Sequence, residues 1–244
     1  METTIKVEGL SKFYDGRLAV SNLNISVKRG EVFGLLGANG AGKSTTIECI
    51  LGTKIADNGK VSILGMNPAA DRKKLFQRVG VQFQETNYQD KITVAELCEE
   101  TQSLYKSYTD YKELLGKFML KDKAKRLVSE LSGGQKQRLF IVLALIPNPE
   151  VVFLDELTTG LDAKARRDVW KYLDLLKHSG VTIFLTSHFM DEVEVLCDHI
   201  GILKNGKMIF YGTTQEAVAA SPFDKLEDAY LWYTDEEETN YESI

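Results

Sequence analysis

Eight residues from 37 to 44, GANGAGKS, combine three glycines with one lysine and one hydroxyl residue. They fit the pattern G-x-x-x-x-G-K-[ST], whose glycines let backbone N–H groups approach phosphate oxygens closely. In such a loop Lys43 would supply a positive charge to the β- and γ-phosphates of a nucleotide, and Ser44 would ligate Mg²⁺. A helix starting here would add a favourable dipole. The residues expected to bind the nucleotide are Gly37, Ala38, Asn39, Gly40, Ala41, Gly42, Lys43, Ser44 and Thr45.

Two adjacent carboxylates, Asp155 and Glu156, close the apolar run VVFL. Taken alone, such a pair serves a structural placement as readily as a chemical role. Ligands of open α/β sheets sit beyond the carboxyl ends of the strands, so a chain with a phosphate loop favours the chemical role. Neighbouring residues on a strand point to opposite sides. We therefore expect Asp155 to hold Mg²⁺ through water, and Glu156 to orient and deprotonate an attacking water.

The elements that must position these residues alternate between strand and helix patterns. Strand patterns cover residues 3–8, 22–27, 31–37, 151–154, 181–188 and a final pair within 200–212. Helix patterns follow the glycine loop and cover about 163–178 and 190–197, and residues about 86–147 read as a helical block. This order predicts an α/β fold: a parallel-sheet core of the P-loop NTPase kind, an N-terminal antiparallel β subdomain and an inserted α-helical subdomain.

Composition narrows the class of protein. The 244 residues carry a formal net charge of −5, so recognition of nucleic acid through bulk positive charge is not expected. The longest apolar run, residues 139–146, is far shorter than the about 20 residues of a spanning helix, and the N-terminus lacks a signal-peptide core. The three cysteines have neither metal-ligand nor disulfide spacing, which predicts reduced, mostly packed thiols. Composition thus predicts a soluble intracellular protein.

A further segment, LSGGQ at 131–135, resembles the signature of the ABC (ATP-binding cassette) ATPases. The order of motifs is similar too: phosphate loop, glutamine segment, signature, carboxylate strand, TTGLD and a lone histidine. The resemblance covers about residues 3–230, one ATPase domain with the helical subdomain at about 86–147 inserted, and leaves 231–244 as an acidic tail. One departure is Leu157, where the family usually has proline; leucine restores an N–H and loosens the backbone.

The resemblance implies roles for three more residues around the nucleotide. Tyr14 resembles the aromatic residue that stacks on adenine, with Phe13 as a competing candidate. Gln84 resembles the glutamine that touches Mg²⁺ and the attacking water near the membrane-subunit contact, with Gln82 as the alternative. His188 resembles the histidine that contacts the γ-phosphate. The implied catalytic set is Lys43, Gln84, Glu156 and His188, and the implied Mg²⁺ set is Ser44, Gln84 and Asp155.

In this family the signature and the phosphate loop meet only across a dimer. The resemblance therefore implies that Ser132, Gly133, Gly134 and Gln135 act on the nucleotide of the opposite subunit, with Asp162 at the dimer seam. His178 and His199 match nothing in the family pattern and are assigned to the structure.

The resemblance implies a subunit that binds and hydrolyses ATP with Mg²⁺ and powers transport through a separate integral membrane permease. The segments GVQFQ and TVAEL, and the region after His188, resemble ATPases of bacterial ABC-2-type export systems for drugs, antibiotics or Na⁺. The implied partners are ATP, a second cassette (identical or not) and the permease, without nucleic acid. The implied location is the cytoplasmic face of the cell membrane.

Two alternatives stay open. One is a soluble ABC ATPase outside transport, although the short interval between Lys43 and Leu131 leaves no room for a long coiled-coil arm. The other is a nucleotide-gated module that senses ATP, although Glu156 and His188 weigh against it.

Overall fold

The computed structural model of the protein describes residues 2–83, 88–156 and 158–234. Within these ranges the strands are β1 (Thr3–Tyr14), β2 (Arg17–Lys28), β3 (Val32–Gly37), β4 (Asn58–Ile63), β5 (Val79–Gln82), β6 (Val151–Leu154), β7 (Thr182–Thr186), β8 (His199–Lys204) and β9 (Lys207–Gly212). The α-helices are α1 (Lys43–Ile50), α2 (Arg72–Leu75), α3 (Val94–Ser103), α4 (Tyr111–Lys117), α5 (Gly133–Leu145), α6 (Ala163–His178), α7 (Met190–Leu196), α8 (Thr214–Ala219) and α9 (Leu226–Thr234).

The central sheet has six strands in the order β5-β6-β7-β3-β8-β9. Its first five strands are parallel to their neighbours, and β9 pairs with β8 in the antiparallel sense. Strands β3, β6 and β7 are buried along their whole length, as continuous apolar runs covered on both faces should be. The predicted α/β fold with a parallel core is confirmed.

Three aromatic side chains fix the register of the strands that carry the site. Phe153 of β6 and Phe33 of β3 both face Phe184 of the intervening β7 in register, with ring centroids 5.3 and 5.2 Å apart. All three rings are essentially inaccessible to solvent. Because a slip by one residue would turn this ladder to the other face of the sheet, it locks the three carboxyl ends beside one another.

Strands β2, β1 and β4 form a separate antiparallel sheet in that order, which agrees with the predicted N-terminal β subdomain. Its inward side chains, such as Ile5, Leu23 and Ile63, share one apolar cluster with the aromatic ladder. A second apolar cluster joins α3, α4 and α5 to β6 and to α6. The core therefore lies on both faces of the central sheet, and the helical segment packs on one of them.

The chain end differs from the sequence-based boundary. Helix α9 runs to Thr234, so residues 231–234 continue a helix instead of beginning the acidic tail at 231. Buried Leu226 packs α9 into a third apolar cluster, which includes Val193 of α7 and Ile200 of β8. Among the helices of the described residues, none is long and apolar enough to cross a membrane.

Candidate active site

The loops that leave β3, β6 and β7 converge on one cleft of about 670 Å³. This is the position where parallel sheets place ligands, beyond the carboxyl ends of adjacent strands. The volume lies within the range typical of small-molecule sites. The cleft is lined by Tyr14, Ala19, Asn39, Gly40, Gly42, Lys43, Ser44, Thr45, Glu156, Thr159, His188 and Phe189.

The glycine loop between β3 and α1 depends on Gly42. This residue is the N-cap of α1 and has a φ of 105°, a conformation that favours glycine. A Cβ at this position would lie 2.6 Å from the carbonyl oxygen of Ala19, so no other residue fits without moving the backbone. The loop can therefore present its N–H groups at the start of α1, where they and the helix dipole favour an anion.

Lys43 lies under this loop and is buried. Its Nζ donates hydrogen bonds to the carbonyl oxygens of Gly37 at 2.7 Å and Ala38 at 3.2 Å. Burial lowers the pKa of Lys43, while the carboxylates of Glu156 and Asp155 raise it. The ammonium group is thus held by two loop carbonyls within the electrostatic reach of both carboxylates.

Asp155 and Glu156 follow the end of β6, so the strand alternation expected from sequence does not govern their directions. Thr186, the last residue of β7, connects them. Its hydroxyl donates to Asp155 Oδ1 at 2.6 Å and accepts from the backbone N–H of Glu156 at 2.9 Å. Burial raises the pKa of Asp155, and the Thr186 hydrogen bond and Lys43 lower it. One hydroxyl therefore positions both carboxylates.

Glu156 has a φ of 51°, in the left-handed region where a non-glycine residue is strained by about 1 kcal/mol or more. Its backbone carbonyl accepts a hydrogen bond from Gln137 Nε2 of α5 at 3.2 Å. Its carboxylate Oε1 lies 2.7 Å from Nε2 of His188, which is about one-third exposed. The strained backbone directs the carboxylate into the cleft, where it meets the histidine that follows β7.

Tyr14 ends β1 and lines the same cleft, with its ring about 39% exposed. The ammonium groups of Lys12 and Lys54 each lie 5.4 Å from the ring centroid. Phe13 is equally exposed but does not contribute to the cleft lining among the described residues. The geometry thus favours Tyr14 over Phe13 as the aromatic contact.

The oxygen donors near the glycine loop fit Mg²⁺. Ser44 lines the cleft, and the buried carboxylate of Asp155 lies within electrostatic reach of Lys43. The described residues contain no cluster of three His, Cys, Asp or Glu that could hold a metal by protein ligands alone. Mg²⁺ prefers hard oxygen ligands and usually binds through one or two protein groups plus phosphates and water, which is the chemistry this pair offers.

The signature residues lie apart from this cleft, at the start of α5. Ser132 is the N-cap: its Oγ accepts from the N–H of Gln135, and Gln135 Oε1 accepts from the N–H of Ser132. Within the described residues that line the cleft, none comes from the signature. Asp162 caps α6 in the same manner by accepting from the N–H of Ala165 at 2.8 Å. Both motifs therefore present helix N-termini outside the chain's own cleft.

Two glutamines were candidates for the Mg²⁺ and water contact. The first, Gln84, lies outside the described residues, and so does Leu157. The alternative, Gln82, ends β5 and is buried beside β6, where its side-chain N–H donates to the Phe83 carbonyl.

His199 pairs with Glu31 and His178 with the Asp174 carbonyl, which agrees with structural roles for both.

Sequence reasoning missed Thr186, Thr159 and Phe189 as members of the site. A signal existed for Thr186, because it is a hydroxyl residue near the end of the predicted strand 181–188, two positions before His188. Thr159 lies in the TTGLD segment at 158–162, which by itself assigns no individual role to this residue, and no comparable signal marks Phe189.

Fold and site together define a nucleotide-binding protein of the P-loop class. A profile of the family described as ABC transporter matches residues 20–159. The chain therefore belongs to the ABC transporter family, as an ATP-binding cassette. The cassettes of this family are ATPases.

Two named relatives are ATP-binding proteins of a multidrug transporter and of an export system. The chain is 36% identical over 232 residues to the probable multidrug ABC transporter ATP-binding protein YbhF of Escherichia coli (strain K12), covering 93% of this chain and 40% of that protein. It is 39% identical over 218 residues to the Nod factor export ATP-binding protein I of Rhizobium sp. (strain N33), covering 87% of this chain and 71% of that protein. The chain therefore spans less than half the length of the Escherichia coli relative.

Solved structures resemble the whole cassette. The ATP-binding subunit of an ABC transporter aligns with a TM-score of 0.88 at 28% identity, covering 96% of this chain and all of that one. The dimeric bacterial ABC transporter cassette MJ0796 aligns with a TM-score of 0.78 at 26% identity, covering 86% and 98%. Both likenesses extend the family assignment from the motifs to the fold.

Proposed function

We propose that this chain hydrolyses ATP with Mg²⁺ and powers export through a separate integral membrane protein. The observation that carries the proposal is the convergence of Lys43, Glu156 and His188 on one cleft at the ends of three adjacent strands. The buried carboxylate of Asp155 is linked to Glu156 through the Thr186 hydroxyl. The similarity to a Nod factor export protein supports export as the direction of transport, and the other relative is named for multidrug transport.

The residues can be assigned to steps. Lys43 would exchange its loop-carbonyl partners for β- and γ-phosphate oxygens, since an ammonium group gains more from an anion than from a neutral acceptor. Ser44 and Asp155 would hold Mg²⁺, which when bound neutralises phosphate charge. Tyr14 would cover the adenine ring.

Glu156 would accept a proton from water as the water oxygen attacks the γ-phosphorus and the bond to the β-phosphate oxygen breaks, giving ADP and phosphate. His188, held 2.7 Å from that carboxylate, would donate to the γ-phosphate and keep Glu156 turned toward the water. Both groups come from loops that β6 and β7 place side by side.

The site would be completed by a second cassette. The first turns of α5 and α6 are capped by Ser132 and Asp162, which are exposed and lie outside the lining of the chain's own cleft, so a partner could reach them. The likeness to a dimeric cassette supports a pair in which each signature faces the other's γ-phosphate. ATP would close the pair, and hydrolysis would open it.

The membrane partner would bind the helical segment between β5 and β6. A second cleft of about 480 Å³ beside α3 is rich in carboxylates, including Glu96, Glu99 and Glu100. A basic segment of the permease fits this charge. A chain placed there would work at the cytoplasmic face of the cell membrane.

Two substitutions test hydrolysis. Glu156→Gln should bind ATP yet turn over slowly and accumulate as an ATP-bound dimer on size-exclusion chromatography; normal multiple turnover would refute the base assignment. Lys43→Ala should lose ATP binding or turnover, and wild-type hydrolysis by this variant would contradict the phosphate-loop assignment. Glu194→Gln, an exposed change on α7, is the control.

Co-purification of the permease from native membranes tests the permease surface. Glu100→Lys is expected to weaken this co-purification.

A further inference from the structure

Glu192 of α7 is a buried carboxylate that none of the steps above uses. Its side chain is completely inaccessible to solvent. A buried carboxylate is costly unless hydrogen bonds compensate it. Two donors do so here: the Ser187 hydroxyl donates to Oε2, and Trp170 Nε1 donates to Oε1 at 3.0 Å. Such a group is retained at a cost, which points to a role beyond filling space.

The two donors belong to different parts of the molecule. Ser187 immediately precedes His188 in the loop after β7, and its hydroxyl also accepts from the N–H of Phe189 at 3.0 Å. Trp170 lies in the middle of α6. Glu192 therefore ties the His188 loop to α6 through one carboxylate.

The other neighbour of His188 is held by the same two helices. The guanidinium of Arg166, in α6, lies 4.1 Å from the ring centroid of Phe189. Arg166 Nη1 also lies 3.3 Å from Asp191 Oδ2 on α7. Both residues that flank His188 are thus fixed between α6 and α7, while the imidazole itself extends into the cleft toward Glu156.

The same carboxylate also faces the segment that follows Glu156. The buried Thr158 hydroxyl makes no hydrogen bond of standard geometry, but it lies close enough to lower the pKa of Glu192. Burial is the larger effect and raises that pKa, while Ser187 and Trp170 lower it with Thr158. The hydrogen bonds therefore offset part of the cost of burying this group, and each of its two oxygens accepts from a different donor.

We propose that Glu192 is a positioning residue for His188: by holding Ser187 against Trp170 of α6, it sets the direction in which the imidazole meets Glu156 and the γ-phosphate. This inference rests on the proposed function, ATP hydrolysis at this cleft. Glu192 would influence the transition state only through His188. Its substitution should therefore lower turnover more than nucleotide affinity.

The first test compares kcat and KM of ATP hydrolysis in full-length variants. Glu192→Gln keeps the volume but replaces one acceptor oxygen by a donor, so it cannot accept from Ser187 and Trp170 together. We expect kcat to fall roughly 10- to 100-fold, because a small misplacement of a reacting group has effects of this size. KM should stay within about threefold of the wild type. Glu194→Gln, two positions along the same helix and exposed, should keep wild-type values.

The second test uses the hydroxyl on the other side of the bond. Ser187→Ala should lower kcat as Glu192→Gln does, whereas Ser187→Thr, which keeps the hydroxyl, should restore it. The double variant Ser187→Ala with Glu192→Gln should lose no more than either single variant, because both changes break the same link. A role confined to folding would not give this rescue and this lack of additivity.

A spectroscopic readout checks the link in solution. The chain has two tryptophans, Trp170 and Trp232, so Trp232→Phe leaves Trp170 as the only indole emitter. In that background Glu192→Gln should shift the Trp170 emission maximum, and Glu194→Gln should not.

The outcomes separate this inference from the proposed function. Without any hydrolysis by the wild type or by Glu194→Gln, the proposed function itself fails. If the wild type and Glu194→Gln both hydrolyse ATP, the proposed function stands. If Glu192→Gln and Ser187→Ala then also keep kcat within about twofold of the wild type, the positioning role is overturned. Should Glu192→Gln not fold, the Ser187→Ala and Ser187→Thr pair decides.

Discussion

The hydroxyl of Thr186 offers the sharpest perturbation of the cleft. Thr186→Val keeps the shape of the side chain in β7 and removes the group that bonds both Asp155 and Glu156. A hydrogen bond to a charged group contributes about 1.5–3 kcal/mol and a neutral one about 0.5–1.5 kcal/mol. The two bonds together amount to about 2–4.5 kcal/mol. Asp155, which accepts the stronger of them, is buried.

Only the part of this energy felt in the transition state changes the rate. We expect kcat/KM for Mg²⁺-ATP to fall about 10- to 100-fold, which corresponds to about 1.4–2.7 kcal/mol. Because the Thr186 hydrogen bond lowers the pKa of Asp155, its removal should raise that pKa further. The acid limb of the pH–activity profile should therefore move to higher pH.

Thr182→Val is the matched control for this experiment. Thr182 is the first residue of the same strand, equally buried, and its hydroxyl accepts from the N–H of Gly30 at 3.1 Å, away from the cleft. Both variants should lose thermal stability, but only Thr186→Val should lose activity. A Thr186→Val protein with kcat/KM within about threefold of the wild type would refute the argument that this hydroxyl positions the carboxylates.

Three further predictions follow from other parts of the chain. Gly42→Ala should abolish ATP binding measured by calorimetry, because φ is +105° and Cβ has no space. Gly116→Ala, at an exposed position of α4 where a Cβ would meet nothing, should instead stabilise the protein by about 0.5–1 kcal/mol in urea. Burial raises the pKa of Cys98 to about 12, so iodoacetamide at pH 8 should label this thiol only after denaturation. Labelling of Cys98 in the native protein would contradict the burial of this thiol. Arg78 lowers the pKa of half-exposed Glu150, so this pair stabilises the fold above the ordinary glutamate pKa and loses that effect as pH falls through the lowered value. Glu150→Gln should thus cost at most about 1 kcal/mol at pH 7 and nothing at pH 2, by urea unfolding at both pH values.

Much of the site could be predicted from local sequence because its parts are local devices. The spacing of glycines, lysine and serine at 37–44 specifies a loop and a helix start, and α6 begins and ends at the predicted residues, 163 and 178. Each of these features depends on contacts within a few residues. Spacing in one dimension is then sufficient evidence.

The sequence by itself determined the class of chemistry: a phosphate loop, two carboxylates at a strand end and a histidine after another strand. The tertiary structure decided how these groups meet. The left-handed backbone of Glu156 turns its carboxylate toward His188, 32 positions away. The shared hydroxyl of Thr186 bonds Asp155 and Glu156, 31 and 30 positions away, and the buried carboxylate of Glu192 bonds Trp170, 22 positions away. Such contacts exist only once the aromatic ladder has set β6, β7 and β3 in register, because sheet pairing, and not sequence distance, brings their carboxyl ends together.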